Sequence, residues 1–284
     1  MKKIVVFLLS LIFMMIISLF PSQVYGQNLS IYDVKPGDTL SAIAKRYHTS
    51  AQEIKKVNKL RSDQIYIGQK LKIYPHKYTT QGQFILLTRE EFKLWLFNQN
   101  VTRKINKIQH HHTWAPSYRH FKGSNHFAIL NGMKNHHVNK MKWRNIAQNL
   151  TTFPDGRIAI SRPFNDEPEG SIGPIANSGA IMIENLGNFD IGKDQMTQEH
   201  KETIVYVTAL LCLKFGLTPS IDSITYHHWW HYGTKQRVLD NHNKYSVKSC
   251  PGTNFFGGNN TAHARNNFYP LVVKKMEEIR ATMR

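Results

Sequence analysis

From Phe84 onward, short apolar runs alternate with segments whose apolar residues recur at helical spacing. That alternation restricts the chain to a sheet covered by helices, because neither kind of element can bury its apolar side alone. Thr88 and Glu91 form a capping-box pair ahead of Phe92, Leu94, Trp95 and Leu96. Strands are expected over 105–111, over 157–161 after the turn Pro154-Asp155-Gly156, over 180–184 and over 224–227. Thr197 is the expected start of a helix carrying Ile204, Val207, Leu210, Leu211 and Phe215, stopped by Gly216. Asn267 is the expected cap of a closing helix through Val272, Val273, Met276 and Ile279. The reading is an α/β domain over 84–284.

A smaller unit precedes it, over 30–74. Its pattern is strand, turn at Pro36-Gly37-Asp38, helix, helix, strand, with Thr39 and Ser50 as N-caps. Forty-five residues bury too small a core to shelter a catalytic site, so this unit reads as a binder or spacer. Residues 75–83 are short, polar and turn-rich, and read as a linker. Ahead of both, Lys2 and Lys3 introduce an apolar run from Ile4 to Phe20, then Pro21 and small or polar residues up to Gly26. This is the layout of a signal peptide over 1–26, with an uncleaved anchor as the alternative. Either way the remainder is exported, to the outside or the cell wall.

Charge narrows the partners. The 284-residue chain carries 37 Lys and Arg against 19 Asp and Glu, a formal net of +18. Loss of residues 1–26 removes two lysines and no acid, leaving +16. Such a surplus favours polyanions. Export removes nucleic acid from the candidates and leaves anionic wall polymers; no stable membrane insertion is expected after cleavage. Of the two cysteines, Cys212 falls in an apolar helix and suits a buried free thiol, while Cys250 sits in a turn before Pro251-Gly252, so a disulfide is not the expected pairing.

The small unit resembles a LysM module. The residues that carry the likeness are Tyr32, Val34, Pro36 to Leu40, Ile43, Ala44, Tyr47, Asn58, Ile65, Ile67, Gly68, Gln69, Leu71 and Ile73. The resemblance implies a βααβ fold that grips N-acetylglucosamine-containing glycan, through the loop with Gly37, Asp38 and Thr39 and the loop near Ile65.

Fifteen histidines are many for this length, and several are adjacent: His110-His111-His112, His136-His137 and His227-His228. Neighbouring residues on a strand face opposite sides, so each pair offers one candidate to a given face. Two imidazoles and a thiolate at strand ends and a tight loop would leave one tetrahedral position open, the pattern of catalytic zinc. Spacing alone does not single out the ligands.

Segments between 105 and 256 resemble the zinc N-acetylmuramoyl-L-alanine amidases, a family that includes the peptidoglycan recognition proteins. The likeness rests on His111-His112-Thr113 before Pro116, on Trp143 to Gln148, and on Phe153 to Gly156. It continues through Glu184 to Asp190, Ile224 to His228, and Cys250-Pro251-Gly252. It implies a central mixed sheet flanked by helices and one Zn2+ held by His111, His227 and Cys250. It further implies Lys248 as oxyanion stabiliser, His137 beside the substrate, and a general base. Where some members carry a tyrosine base this chain has Gln148, which cannot titrate, so the base falls to Glu184. Trp114 and Trp229 are candidates either for the cleft wall or for the core. The 22 residues between His227 and Cys250 are more than compact members have. The implied reaction is hydrolysis of the amide between N-acetylmuramic acid and L-alanine. Binding without cleavage and cutting within the stem peptide are the alternatives.

Overall fold

The computed structural model describes residues 29–240 and 247–283, in two compact units divided between His76 and Lys77. The signal-peptide reading lies outside the described residues.

In the first unit, β1 (Ser30–Asp33) pairs antiparallel with β2 (Lys70–Ile73) across α1 (Leu40–Arg46) and α2 (Ala51–Asn58). Thr39 and Ser50 cap the helices as their positions predict, accepting from the amides of Ala42 and Glu53. Tyr32, Val34, Leu40, Ile43, Ala44, Ile54, Leu71 and Ile73 form the core.

The second unit is built on a seven-stranded mixed sheet. Its strands are β3 (Thr79–Gln81), β4 (Phe84–Leu87), β5 (Lys107–His112), β6 (Leu150–Thr152), β7 (Ile158–Ile160), β8 (Ala180–Asn185) and β9 (Ile224–Tyr226), in the order β3-β4-β7-β6-β8-β5-β9. The β6–β8, β8–β5 and β5–β9 pairs are parallel; the others are antiparallel. The helices are α3 (Arg89–Asn98), α4 (His126–Asn135), α5 (Pro174–Asn177), α6 (Gln198–Phe215), α7 (Thr261–His263) and α8 (Tyr269–Met283). One face packs Ile108, Ile158, Ile181, Ile183 and Ile224 against α3, α6 and α8. The other packs Phe84, Leu86, Ala159 and Leu186 against Ile129, Leu130 and Met133 of α4. This is the expected α/β architecture behind a small βααβ unit.

Two local expectations are corrected. The stretch read as a linker over 75–83 contains β3, an exposed edge strand paired to β4 through the left-handed turn at Gly82 (φ +57°). Polar Thr79, Thr80 and Gln81 have no buried face, so hydrophobic alternation gives no sign of them. Asn267 does not cap the closing helix. Asn260 does so earlier, accepting from the His263 amide at 2.9 Å, and a π-turn (Ala264–Phe268) carries the chain from α7 into α8. Asn267 lies inside that turn and donates to the Phe256 carbonyl.

Candidate metal centre

Strand geometry sorts the three adjacent histidines. His110 faces α6 and is fully buried, with Nε2 3.1 Å from the Thr208 hydroxyl. His111 points to the opposite face, as alternation requires. His112 closes the strand: its amide donates to the Cys250 sulfur at 3.3 Å, and its Nδ1 accepts from the Phe189 amide. Each histidine has a different place in the architecture: His110 is held in the core, His112 is tied to the Cys250 loop, and His111 turns its Nδ1 toward Ser171 and Glu184 in the cleft.

His111 is level with Glu184 in the parallel β5–β8 register, and their side chains share a face. The Glu184 Oε1 lies 3.9 Å from the His111 Nδ1. On the other side β9 ends at Tyr226, so His227 emerges beside His111 with ring centroids 4.9 Å apart. Cys250 arrives on a loop held by Asp190, whose carboxylate accepts from the Ser249 hydroxyl at 3.1 Å and the Thr253 amide at 3.0 Å. The site thus stands at the carboxyl ends of adjacent parallel strands, where open α/β sheets place their ligands.

His111, His227 and Cys250 bring one donor atom each to within 4.8 Å of one another. Both cysteines are free thiols. Burial holds His227 down at about 3 and His111 well below the usual imidazole value, so both rings are neutral, the form that binds a metal. Burial, with Glu184 close by, pushes the Cys250 thiol well up. A divalent cation is the charge that would bring it to thiolate. The buried His111 Nε2 and Glu184 Oε2 have no hydrogen-bond partner among the described residues. A donor set of two neutral imidazoles and a sulfur fits zinc, with room for a fourth ligand.

A cleft of about 410 Å³ holds these groups together with Trp114, Ser171 and Lys248. Glu184 also lines an adjoining cavity with His137, Thr113 and Pro116. Burial raises the Glu184 carboxyl to about 8. Lys248 is exposed, its Nζ 4.8 Å from the centroid of the Tyr232 ring, which Lys235 approaches equally. His137 accepts from the Ala147 amide at 3.1 Å and stacks near Trp143, which fixes its ring on the wall of that cavity. Trp114 is 63 % exposed and lines the cleft, whereas Trp229 is fully buried and belongs to the core. Gln148 is also fully buried, donating to the Thr151 hydroxyl, and lines neither cavity.

Sequence reasoning passed over three supports. Asn185 donates to the His111 carbonyl at 2.7 Å and accepts from Thr152, so it fixes the strand end that carries the ligand. Asp190 anchors the Cys250 loop. Ser171 brings a hydroxyl to 3.3 Å from the Nδ1 of His111 and 3.4 Å from that of His227. Asn185 and Asp190 fall within the Glu184-to-Asp190 run that carries the family resemblance, but neither the run nor any periodicity announces these contacts, and Ser171 lies outside every such segment.

In the first unit, Gly37 makes the turn at φ +82°. Asp38 accepts from the Tyr32 hydroxyl and the Lys35 amide and pairs with Arg46. Thr39 is occupied as a cap, and Ile65 packs against the small core. The side chains expected to meet glycan therefore also shape the loop.

The family model for N-acetylmuramoyl-L-alanine amidase matches residues 101–253, more than half of the chain. The chain belongs to that amidase family. A LysM domain model matches residues 32–73. The N-acetylmuramoyl-L-alanine amidase sle1 of Staphylococcus aureus (strain MRSA252) is 31% identical over 165 residues, covering 56% of this chain and 42% of that protein. The probable peptidoglycan endopeptidase LytE of Bacillus subtilis is 50% identical over 44 residues, 16% of this chain and 13% of that one. The chain thus spans less than half the length of these curated relatives. Among solved structures, the amidase LysC from Clostridium intestinale aligns with a TM-score of 0.37 at 19% identity, over 64% of this chain and 86% of that one.

Proposed function

We propose that this amidase is a zinc-dependent enzyme of the cell wall that cleaves the amide between N-acetylmuramic acid and L-alanine of peptidoglycan. The observation that carries the reading is the convergence of His111, His227 and Cys250 within 4.8 Å, beside a carboxylate in the same cleft.

His111, His227 and Cys250 would hold the metal, which supplies a Lewis acid and a water acidified toward neutrality. Glu184 is the general base. Burial alone raises this carboxyl to about 8, and a divalent cation beside it would draw it back toward the carboxylate that accepts a proton near neutral pH. Glu184 takes one proton from water as the oxygen adds to the lactyl carbonyl carbon. The same proton passes to the departing nitrogen as the C–N bond breaks, giving a lactyl carboxylic acid and the L-alanine amine; the acid's proton then moves to the amine, so the products are a carboxylate and an ammonium. Lys248, two residues from Cys250 and on the cleft wall, stabilises the negative charge that gathers on the carbonyl oxygen. His137 and Trp114 flank the substrate. The LysM unit, through Gly37, Asp38, Thr39 and Ile65, binds the glycan and keeps the catalytic unit close to its bond. The signal over residues 1–26 exports the chain, and its basic surface adsorbs to anionic wall polymers.

Digestion of purified peptidoglycan tests this. New amino termini should be L-alanine, with glycan strands intact and about one zinc per chain. Termini elsewhere in the stem would indicate a peptidase; binding without any new terminus would indicate a recognition protein. Cys250→Ala should lose both metal and activity.

A further inference from the structure

Ser171 lies outside the segments that carry the family resemblance, yet it lines the cleft beside His111 and His227. Its backbone is left-handed, at φ +55°, a conformation that non-glycine residues seldom adopt and that here must be enforced by its surroundings. The enforcement is visible on both sides. Gly170 packs so tightly on Trp143 that a Cβ there would fall 2.1 Å from the indole ring. The Gly170 carbonyl accepts from the Asn177 side chain and from the Gly173 amide. Glu169, two residues before Ser171, is clamped by Arg162 at 3.0 Å, and Ile172, the residue after it, is buried. The loop can therefore aim residue 171 in one direction only, into the cleft.

The hydroxyl ends between the two imidazoles, 3.3 Å from one Nδ1 and 3.4 Å from the other. A metal bound to imidazole nitrogen and to oxygen at ordinary zinc distances, in a tetrahedron, sets those two atoms about 3.3–3.5 Å apart. Ser171 Oγ meets that spacing to both histidines at once. We propose that Ser171 supplies the fourth ligand of the metal site in the resting amidase, so that water or substrate must displace a protein hydroxyl before reaction. The inference rests on the metal reading of His111, His227 and Cys250. A neutral hydroxyl is a weak ligand, which a substrate carbonyl or an anion replaces; a fourth thiolate or imidazole would close the site for good.

The full chain loaded with Co2+ under reductant reports on this without any turnover. The wild type should show the sulfur-to-cobalt charge-transfer absorption of one thiolate. In Ser171→Cys, which keeps the size and backbone demand of serine, that absorption should roughly double, because a second thiolate enters the coordination sphere. In Ser171→Ala the fourth position is open to solvent, and azide titrated against the visible cobalt bands should bind about tenfold more tightly than to wild type. Single-thiolate absorption in Ser171→Cys together with unchanged azide affinity in Ser171→Ala overturns the role of Ser171 and leaves the metal site intact. A wild type that takes up no cobalt overturns the metal site, and this inference with it.

Discussion

At the scale of single residues the site is a set of groups whose chemistry is decided by burial. Glu184 carries a raised proton affinity because it sits among low-dielectric neighbours with one oxygen unpartnered. Glu184→Gln keeps the shape and removes the titration. Turnover should fall by about 10²–10⁴ while metal content stays at the wild-type level. A loss of metal along with activity would make Glu184 a structural residue instead. Asn185 acts one step back. Asn185→Ala strips the bond to the His111 carbonyl, and metal affinity should drop about 10–100-fold, read by competition with a chelator. The ligands themselves could be named from their motif, whereas Asn185 and Ser171 could not. Their partners, His111 and His227, lie 56 to 74 positions away, and only the assembled sheet brings them together.

At the scale of elements, what could be read in advance is what is written within one turn. The caps at Thr39, Ser50, Thr88 and Thr197 all form, and Thr88 with Glu91 makes the full reciprocal box. Strands β7 and β8 were readable because short apolar runs mark them, and β5 and β9 were expected as well. Strand β3 has only polar residues, β6 is three residues long, and α4 begins at Asn125 without a side-chain cap, so none gives a local signal. The layer between β5, β6 and α6 contains two histidines that the apolar pattern does not explain. His110 bonds to Thr208, and His200 bonds to Tyr118 and Thr152. Burial holds both at about 3, so the folded state keeps them neutral while the unfolded chain protonates near 6.5. Their contribution is complete above that value and is lost as the pH falls from 6.5 toward 3. In metal-free protein at pH 5, each should cost about 2 kcal/mol relative to pH 7 by denaturant titration. His200→Gln should flatten that slope.

At the scale of the whole molecule, the proposed function assigns the work of reaching an insoluble wall to two units and a basic surface. Salt tests the division. Raising ionic strength from about 0.05 to 0.5 M shortens the screening length severalfold. It should release the amidase from walls rich in anionic polymer far more than from walls stripped of it. Removing residues 29–76 should lower the rate on intact walls and leave the rate on soluble muramoyl peptides nearly unchanged, since a tether raises local concentration without touching the bond.

Cys250 donates into a site whose opposite wall, at His112, lies 138 positions earlier in the chain. Closing so long a loop is slow, and no local segment brings the donors together beforehand. The centre therefore requires β5, β9 and the Cys250 loop to be in place together, and an extended chain has the histidines and the thiol without the site. A site spread this widely along the chain is in effect a seal on the assembled sheet: it exists where the whole unit has folded and nowhere short of that.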